Sequence, residues 1–209
     1  MSSAVYYMSA MAKHMSPIPQ YISSKEREAL NWLSSNQIQK ITKNGSYTLN
    51  VVTDQNIDNV ISYKVDLNNG KTAYLEYRNF DSKLNRFDNQ RKILTKLDGT
   101  NSVGITAMKS GLVCYLIDSD KKFPNNLNTS GNKWNYQVLG GTYSTKVDAA
   151  LGLNDEISLS YDVDVYVTDI SEDKITFDIS GIVETEDKNP VINDINCLLY
   201  TSPSPRDLS

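Results

Sequence analysis

His14 is the whole imidazole supply of this 209-residue chain. A zinc centre of the His-Glu-x-x-His kind takes two imidazoles, and a Ser-His-Asp or Cys-His site needs its one beside a nucleophile. Self-contained metal hydrolysis is therefore close to excluded. His14 lies in Lys-His-Met-Ser-Pro with no second imidazole to share an ion, and it reads as an ordinary packed or exposed residue. Cys114 sits inside an apolar run, where a thiol behaves as a small core residue of raised pKa. Glu76 and Arg78 stand two apart in Tyr74-Leu75-Glu76-Tyr77-Arg78. On a strand both point to one face, with Leu75 and Tyr77 on the other. Such a pair could bind a substrate, but charges beside a core more often satisfy each other. Asp118 and Asp120 close the apolar run and open an Asn-rich loop, which makes them candidate oxygen ligands for calcium. Trp134, Tyr136 and Tyr143 flank Gly140-Gly141 and could stack on a sugar or a peptide, although covering a core is the commoner use. No phosphate-cradling glycine loop and no Cys-x-x-Cys occurs.

The elements that must position these residues are short. Ser23 or Ser24 can accept hydrogen bonds from the first N–H groups of a helix, and Glu26 and Glu28 favour its positive end. Ala29, Leu30, Trp32 and Leu33 supply an apolar face, so a helix is predicted over about 24–34. After Gly45 the period becomes two, with Tyr47, Leu49 and Val51 alternating with polar neighbours, as in a strand buried on one face. The runs 60–67 and 72–77 flank Asn68-Asn69-Gly70-Lys71 and should pair antiparallel around a tight turn. Residues 80–104 form a long polar connection with a short helix predicted near 90–97. Gly111 to Asp118 is a continuous apolar strand, expected to be central and covered on both faces. Runs at 157–159, 163–170 and 174–183 read as further strands, the last two joined by Ser171-Glu172-Asp173. There is no internal repeat.

Composition narrows the partners. Lys and Arg number 21 against 25 Asp and Glu, a net charge of -4, which gives no footprint for nucleic acid. No run of 18 apolar residues suggests a membrane span, and hydrophobic residues at 39% suffice for a core. The start lacks the features of a signal peptide, so the expectation at this point is either a cytoplasmic protein or a missing true N-terminus. Residues 197–209 are set apart, because Cys197 to Asp207 looks like the in-frame translation of a transposase-type sequencing adapter. Removing them deletes one Arg and one Asp, leaves the charge at -4 and leaves Cys114 as the one authentic cysteine, so no disulfide framework is expected. The natural sequence is expected to be cut at about Asn196, and its start is expected to be missing too.

Three blocks in order resemble the later part of zinc metallopeptidases of the immune inhibitor A type, a secreted bacterial group related to gametolysin. The first is Tyr6-Tyr7-Met8-Ser9, similar to the family's Met-turn, with Ser23-Lys25-Glu26-Arg27 and Leu30-Asn31-Trp32-Leu33, similar to a helix ending Leu-Gly-Trp-Leu/Ile. Here Asn31 replaces the usual Gly. The second is Tyr74-Leu75-Glu76-Tyr77-Arg78 with Phe80-Asp81-Ser82 and Leu84, and the third is Gly111 to Asp118. The resemblance covers roughly residues 6–183. It implies a secreted endopeptidase whose zinc is held by a His-Glu-x-x-His helix lying before residue 1, acting on a protein or peptide substrate, with Met8 as the Met-turn residue beneath the zinc.

These readings combine into one expectation. The fold is mainly β, an antiparallel β-sandwich preceded by one short helix and a loop. Residues 1–35 are the remnant of a catalytic domain, 40–183 the sandwich, 184–196 a linker and 197–209 a non-native tail. The function is that of a secreted, extracellular or cell-surface zinc endopeptidase whose catalytic and zinc-binding residues this piece lacks. Met8, Glu76, Arg78 and Asp118 remain as structural candidates, and calcium as a possible ion. The alternative is a complete non-catalytic β-sandwich module that binds glycans or peptides.

Overall fold

Alternation of buried and exposed side chains decides where each strand lies. The computed structural model describes residues 23–79, 109–118, 136–141 and 148–183, with the backbone alone of 92–96, 103–107, Asp118 and Tyr136. Among the described residues one helix, α1 (Ser24–Ala29), precedes eleven strands: β1 (Ile38–Lys40), β2 (Gly45–Asn50), β3 (Ser62–Asp66), β4 (Lys71–Arg78), β5 (Lys92–Lys96), β6 (Val103–Ala107), β7 (Gly111–Asp118), β8 (Tyr136–Val138), β9 (Glu156–Ser158), β10 (Asp164–Ile170) and β11 (Lys174–Ser180). They form a five-stranded sheet in the order β1-β3-β4-β7-β8, a four-stranded sheet in the order β2-β11-β10-β9, and a separate β5-β6 pair. Every pairing is antiparallel except β1 with β3. The protein is thus a mainly β, sandwich-like fold with one short helix.

The core lies between the two larger sheets. β11 buries Ile175, Phe177 and Ile179 and exposes the residues between them, the period-two pattern of a strand solvated on one side. Its inner face meets that of β3, β4 and β7 in one cluster with Val65, Leu75, Tyr77 and Cys114. Tyr47, Tyr63 and Phe177 tie the sheets together as an aromatic trio, with ring centroids 5.2 to 6.2 Å apart. Each fully buried Leu, Ile or Phe contributes about 2 kcal/mol relative to exposure.

The sheets differ on their outer faces. β4 buries every side chain from Ala73 to Arg78, and β7 does so from Gly111 to Leu116. Both strands are covered on two sides, as the continuous apolar run at 111–118 predicts. The β3–β4 hairpin also forms as predicted, with Ser62 opposite Glu76. Gly70 takes φ +74°, and Asn69 Oδ1 accepts the Lys71 N–H at 3.1 Å, the turn chemistry that Asn-Gly suits. Gly111 opens β7 where a side chain has no room: a Cβ there would fall on the Leu151 carbonyl oxygen. The neighbouring Leu112 and Leu151 exchange backbone hydrogen bonds at 2.8 and 2.9 Å.

Two expectations are corrected. The helix predicted over 24–34 ends at Ala29, and its buried residues are Ser24 and Glu26, not the apolar set at 29–33. Leu30 and Trp32 are 50% and 60% exposed. A left-handed Asn31 stops the helix, and the helix is seated by polar contacts at its first turn. The helix predicted near 90–97 is instead β5, paired with β6. The alternation Ile93–Thr95 against Leu94–Lys96 is too short to separate a strand from a helical turn by period alone.

Candidate functional site

The start of α1 leaves four backbone N–H groups without helical partners, and each of the four, Ser23 to Glu26, finds an acceptor. Ser23 and Glu26 form a capping box: Ser23 Oγ accepts the Glu26 N–H at 3.3 Å and Glu26 Oε2 accepts the Ser23 N–H at 3.2 Å. The next N–H groups are met by the sheet. Ser24 donates from both N and Oγ to Glu76 Oε2, at 2.9 and 2.8 Å, and the Lys25 N–H reaches the Tyr115 hydroxyl at 3.3 Å. At its other end Asn31 takes φ +56°. Trp32 N–H then donates to the Arg27 carbonyl and Asn31 N–H to the Glu28 carbonyl, a Schellman arrangement in which Asn does the work more often given to Gly.

Around Glu76 the polar side chains form a closed set. Arg78 Nε and Nη2 both lie 2.6 Å from Glu76 Oε1. Tyr115 donates to Oε2 at 3.3 Å, and Ser62 Oγ reaches Ser24 Oγ at 2.8 Å. Glu76 and Arg78 are 0% and 1% exposed. One oxygen thus holds the guanidinium and the other holds the start of the helix, whose dipole favours an anion there. A carboxylate with both oxygens committed and no solvent contact is a joint between elements. It is not arranged to abstract a proton or to take an ion.

A second ring of contacts fixes the outer side of α1. Glu28 accepts from Lys64 Nζ at 2.7 Å, Tyr74 Oη at 2.6 Å and Lys25 Nζ at 3.1 Å. Burial alone would raise the Glu28 carboxyl, but the hydrogen bonds from Lys64, Tyr74 and Lys25 together with the Lys25 charge outweigh it and hold the group below its ordinary range. Tyr74 and Tyr115 stack with centroids 5.6 Å apart and planes 10° from parallel, and Arg27 Nη1 donates to the Val52 carbonyl at 3.0 Å.

The expected site residues fall as follows. Glu76 and Arg78 meet each other and α1. Asp118 closes β7 with its backbone opposite Lys71, and its side chain lies outside the described residues. Met8, His14, Asp120, Trp134 and Tyr143 also lie outside them. Among the described residues no group of three or more His, Cys, Asp or Glu could hold a metal ion. The Cys114 thiol is pushed up to about 12 by complete burial. Sequence reading missed Ser24 and Tyr115 as partners of Glu76, and Ser62 as the partner of Ser24. The signal was polar residues at alternate positions of β3 and β4, Ser62 and Lys64 against Glu76 and Arg78, which marks an outer face that is buried and not wet. No helix among the described residues is long and apolar enough to cross a membrane. Comparison with protein-family models, curated proteins and solved structures returns no match.

Proposed function

We propose that the chain is the C-terminal part of a secreted zinc endopeptidase of the immune inhibitor A type, in which α1 is the last helix of the catalytic domain and the β-sandwich is its seat. One observation carries this reading. Two of the blocks that resemble the family, around Ser23–Leu33 and Tyr74–Arg78, are about forty residues apart in sequence and meet in one buried joint, Ser24 on Glu76. Further support comes from Asn31, which departs from the family's Gly yet adopts the left-handed backbone that a Gly would supply. In this reading the Glu-x-Arg motif is a fastening whose role is to fix the orientation of the segment entering the sandwich. The zinc ligands and the peptide-binding cleft belong to a part of the protein upstream of Met1. The chain as printed is then inactive. Purified, it holds no stoichiometric zinc and leaves casein intact, whereas the same chain extended by its upstream reading frame binds zinc and cleaves casein in a chelator-sensitive way. Chelator-sensitive cleavage by the printed chain overturns the proposal.

A second reading has one observation of its own. On the outer face of the four-stranded sheet, Tyr166 lies in register between Glu156 and Asp178 and is 39% exposed. That is an aromatic surface flanked by acceptors, the arrangement a sugar ring uses. A binding module for glycans or peptides predicts that residues 36–184 fold alone and are retained on a glycan or peptide column, with retention lost in Tyr166→Ala. Passage of the unaltered domain through every column removes this reading.

A further inference from the structure

Asn-Gly occurs twice in the chain, at Asn44-Gly45 and Asn69-Gly70. In such a pair the glycine N can attack the asparagine side-chain Cγ, because no Cβ on the glycine obstructs the approach. All four residues are exposed, and both amide oxygens already accept a backbone N–H: Asn44 Oδ1 from Ile182 at 2.8 Å and Asn69 Oδ1 from Lys71 at 3.1 Å. Each contact puts a donor on the oxygen where charge develops during attack. Both carbonyls are therefore polarised, and the backbone decides between them. Attack requires the glycine N to swing towards Cγ. Gly45 opens β2 and is held in the ladder opposite Ile179, so its movement breaks sheet pairing. Gly70 lies at the tip of the β3–β4 hairpin, outside both strands, where its N–H reaches the Leu67 carbonyl at 3.2 Å within the turn. A hairpin tip opens locally at lower free energy than a ladder in the sheet.

We propose that Asn69 is a self-modification site, at which the β3–β4 turn deamidates in the folded protein with water as the co-reactant. The Gly70 N bonds to Asn69 Cγ, the Cγ–Nδ2 bond breaks, and ammonia leaves with the proton that the Gly70 N–H gives up. Water then opens the cyclic imide at either carbonyl, giving aspartate or isoaspartate. Both products place a new carboxylate at the hairpin tip, and isoaspartate also adds a methylene to the main chain between β3 and β4. The reaction requires neither zinc nor an upstream domain, so its failure and that of the peptidase reading are separate. The test is incubation of the purified 209-residue chain in warm, mildly alkaline buffer, folded or in urea, followed by peptide mapping and enzymatic methylation of isoaspartate. The folded protein should accumulate aspartate and isoaspartate on the Asn69 peptide at least roughly tenfold faster than on the Asn44 peptide, about the factor that one ladder hydrogen bond makes in an open population. In urea the two rates should converge, and in Asn69→Ser methylation of that peptide should vanish. An Asn69 peptide that stays intact in the folded protein overturns the proposal, as does a folded-state rate at Asn44 that matches the one at Asn69.

Discussion

Replacing Glu76 by Ala should unfasten α1 from the sandwich, and the size of the effect follows from what the carboxylate holds. Its Oε1 carries both contacts from Arg78, and its Oε2 accepts from the Ser24 N–H, the Ser24 hydroxyl and the Tyr115 hydroxyl. Removing one member of a fully buried ion pair costs about 3–5 kcal/mol. Glu76→Gln keeps the shape and an acceptor oxygen and should cost about 1–3 kcal/mol. With a urea slope of about 2 kcal/mol/M, Glu76→Ala should lower the denaturation midpoint by roughly 2 M. A local readout separates the joint from the rest of the fold. Lys25 and Arg27 lie within α1 and are only partly exposed, so trypsin reaches them when α1 opens, and cleavage tracks the open population. A cost of about 3 kcal/mol multiplies that population roughly a hundredfold. Asp178→Ala, on the exposed outer face of β11, is the control and should stay within about 0.5 kcal/mol of the parent. If Glu76→Ala matches that control in both urea midpoint and cleavage at Lys25 and Arg27, the buried carboxylate is not the fastening described.

Other consequences can be measured on the same protein. Glu28 is held below its ordinary value of 4.5, so the unfolded chain binds its proton first and the Glu28 contribution is lost as pH falls below about 4.5. The urea midpoints of the parent and Glu28→Gln should differ at pH 6 and converge towards pH 3, and a difference that grows on acidification contradicts the assignment. Cys114, its thiol pushed up to about 12, should ignore a disulfide reagent at pH 8 in the folded protein and react fully in denaturant, whereas rapid native labelling would show the strand to be open. Gly111→Ala places a methyl against the Leu151 carbonyl and should destabilise by about 1–3 kcal/mol, read as a fall in thermal midpoint. An unchanged midpoint would mean that the close approach of β7 to Leu151 is not obligatory.

Strands with a clean period were legible in the sequence. β2, β10, β11 and the β3–β4 hairpin appear where alternation and Asn-Gly chemistry place them, since one face of each meets the core and the other meets water or the helix. The continuous run at 111–118 correctly signals a strand covered twice. β1 and β8, three residues each, are too short for any period to show. The helix was overextended because Leu30, Trp32 and Leu33 look like an apolar stripe, while the left-handed turn at Asn31 carries no hydropathy signal at all. The pairing of Glu76 with Arg78 was legible from their spacing. Their attachment to Ser24, 52 residues away, depends on tertiary placement, and a single polar Ser gives no hint of which strand it will meet.

The proposal that this chain continues a catalytic domain carrying the zinc ligands is tested most directly by reading the genomic DNA upstream of the Met1 codon. The proposal predicts an open reading frame in phase with Met1 that encodes the family's His-Glu-x-x-His motif upstream of Met1. An in-frame stop immediately upstream of Met1, or a long upstream frame without that motif, would contradict it.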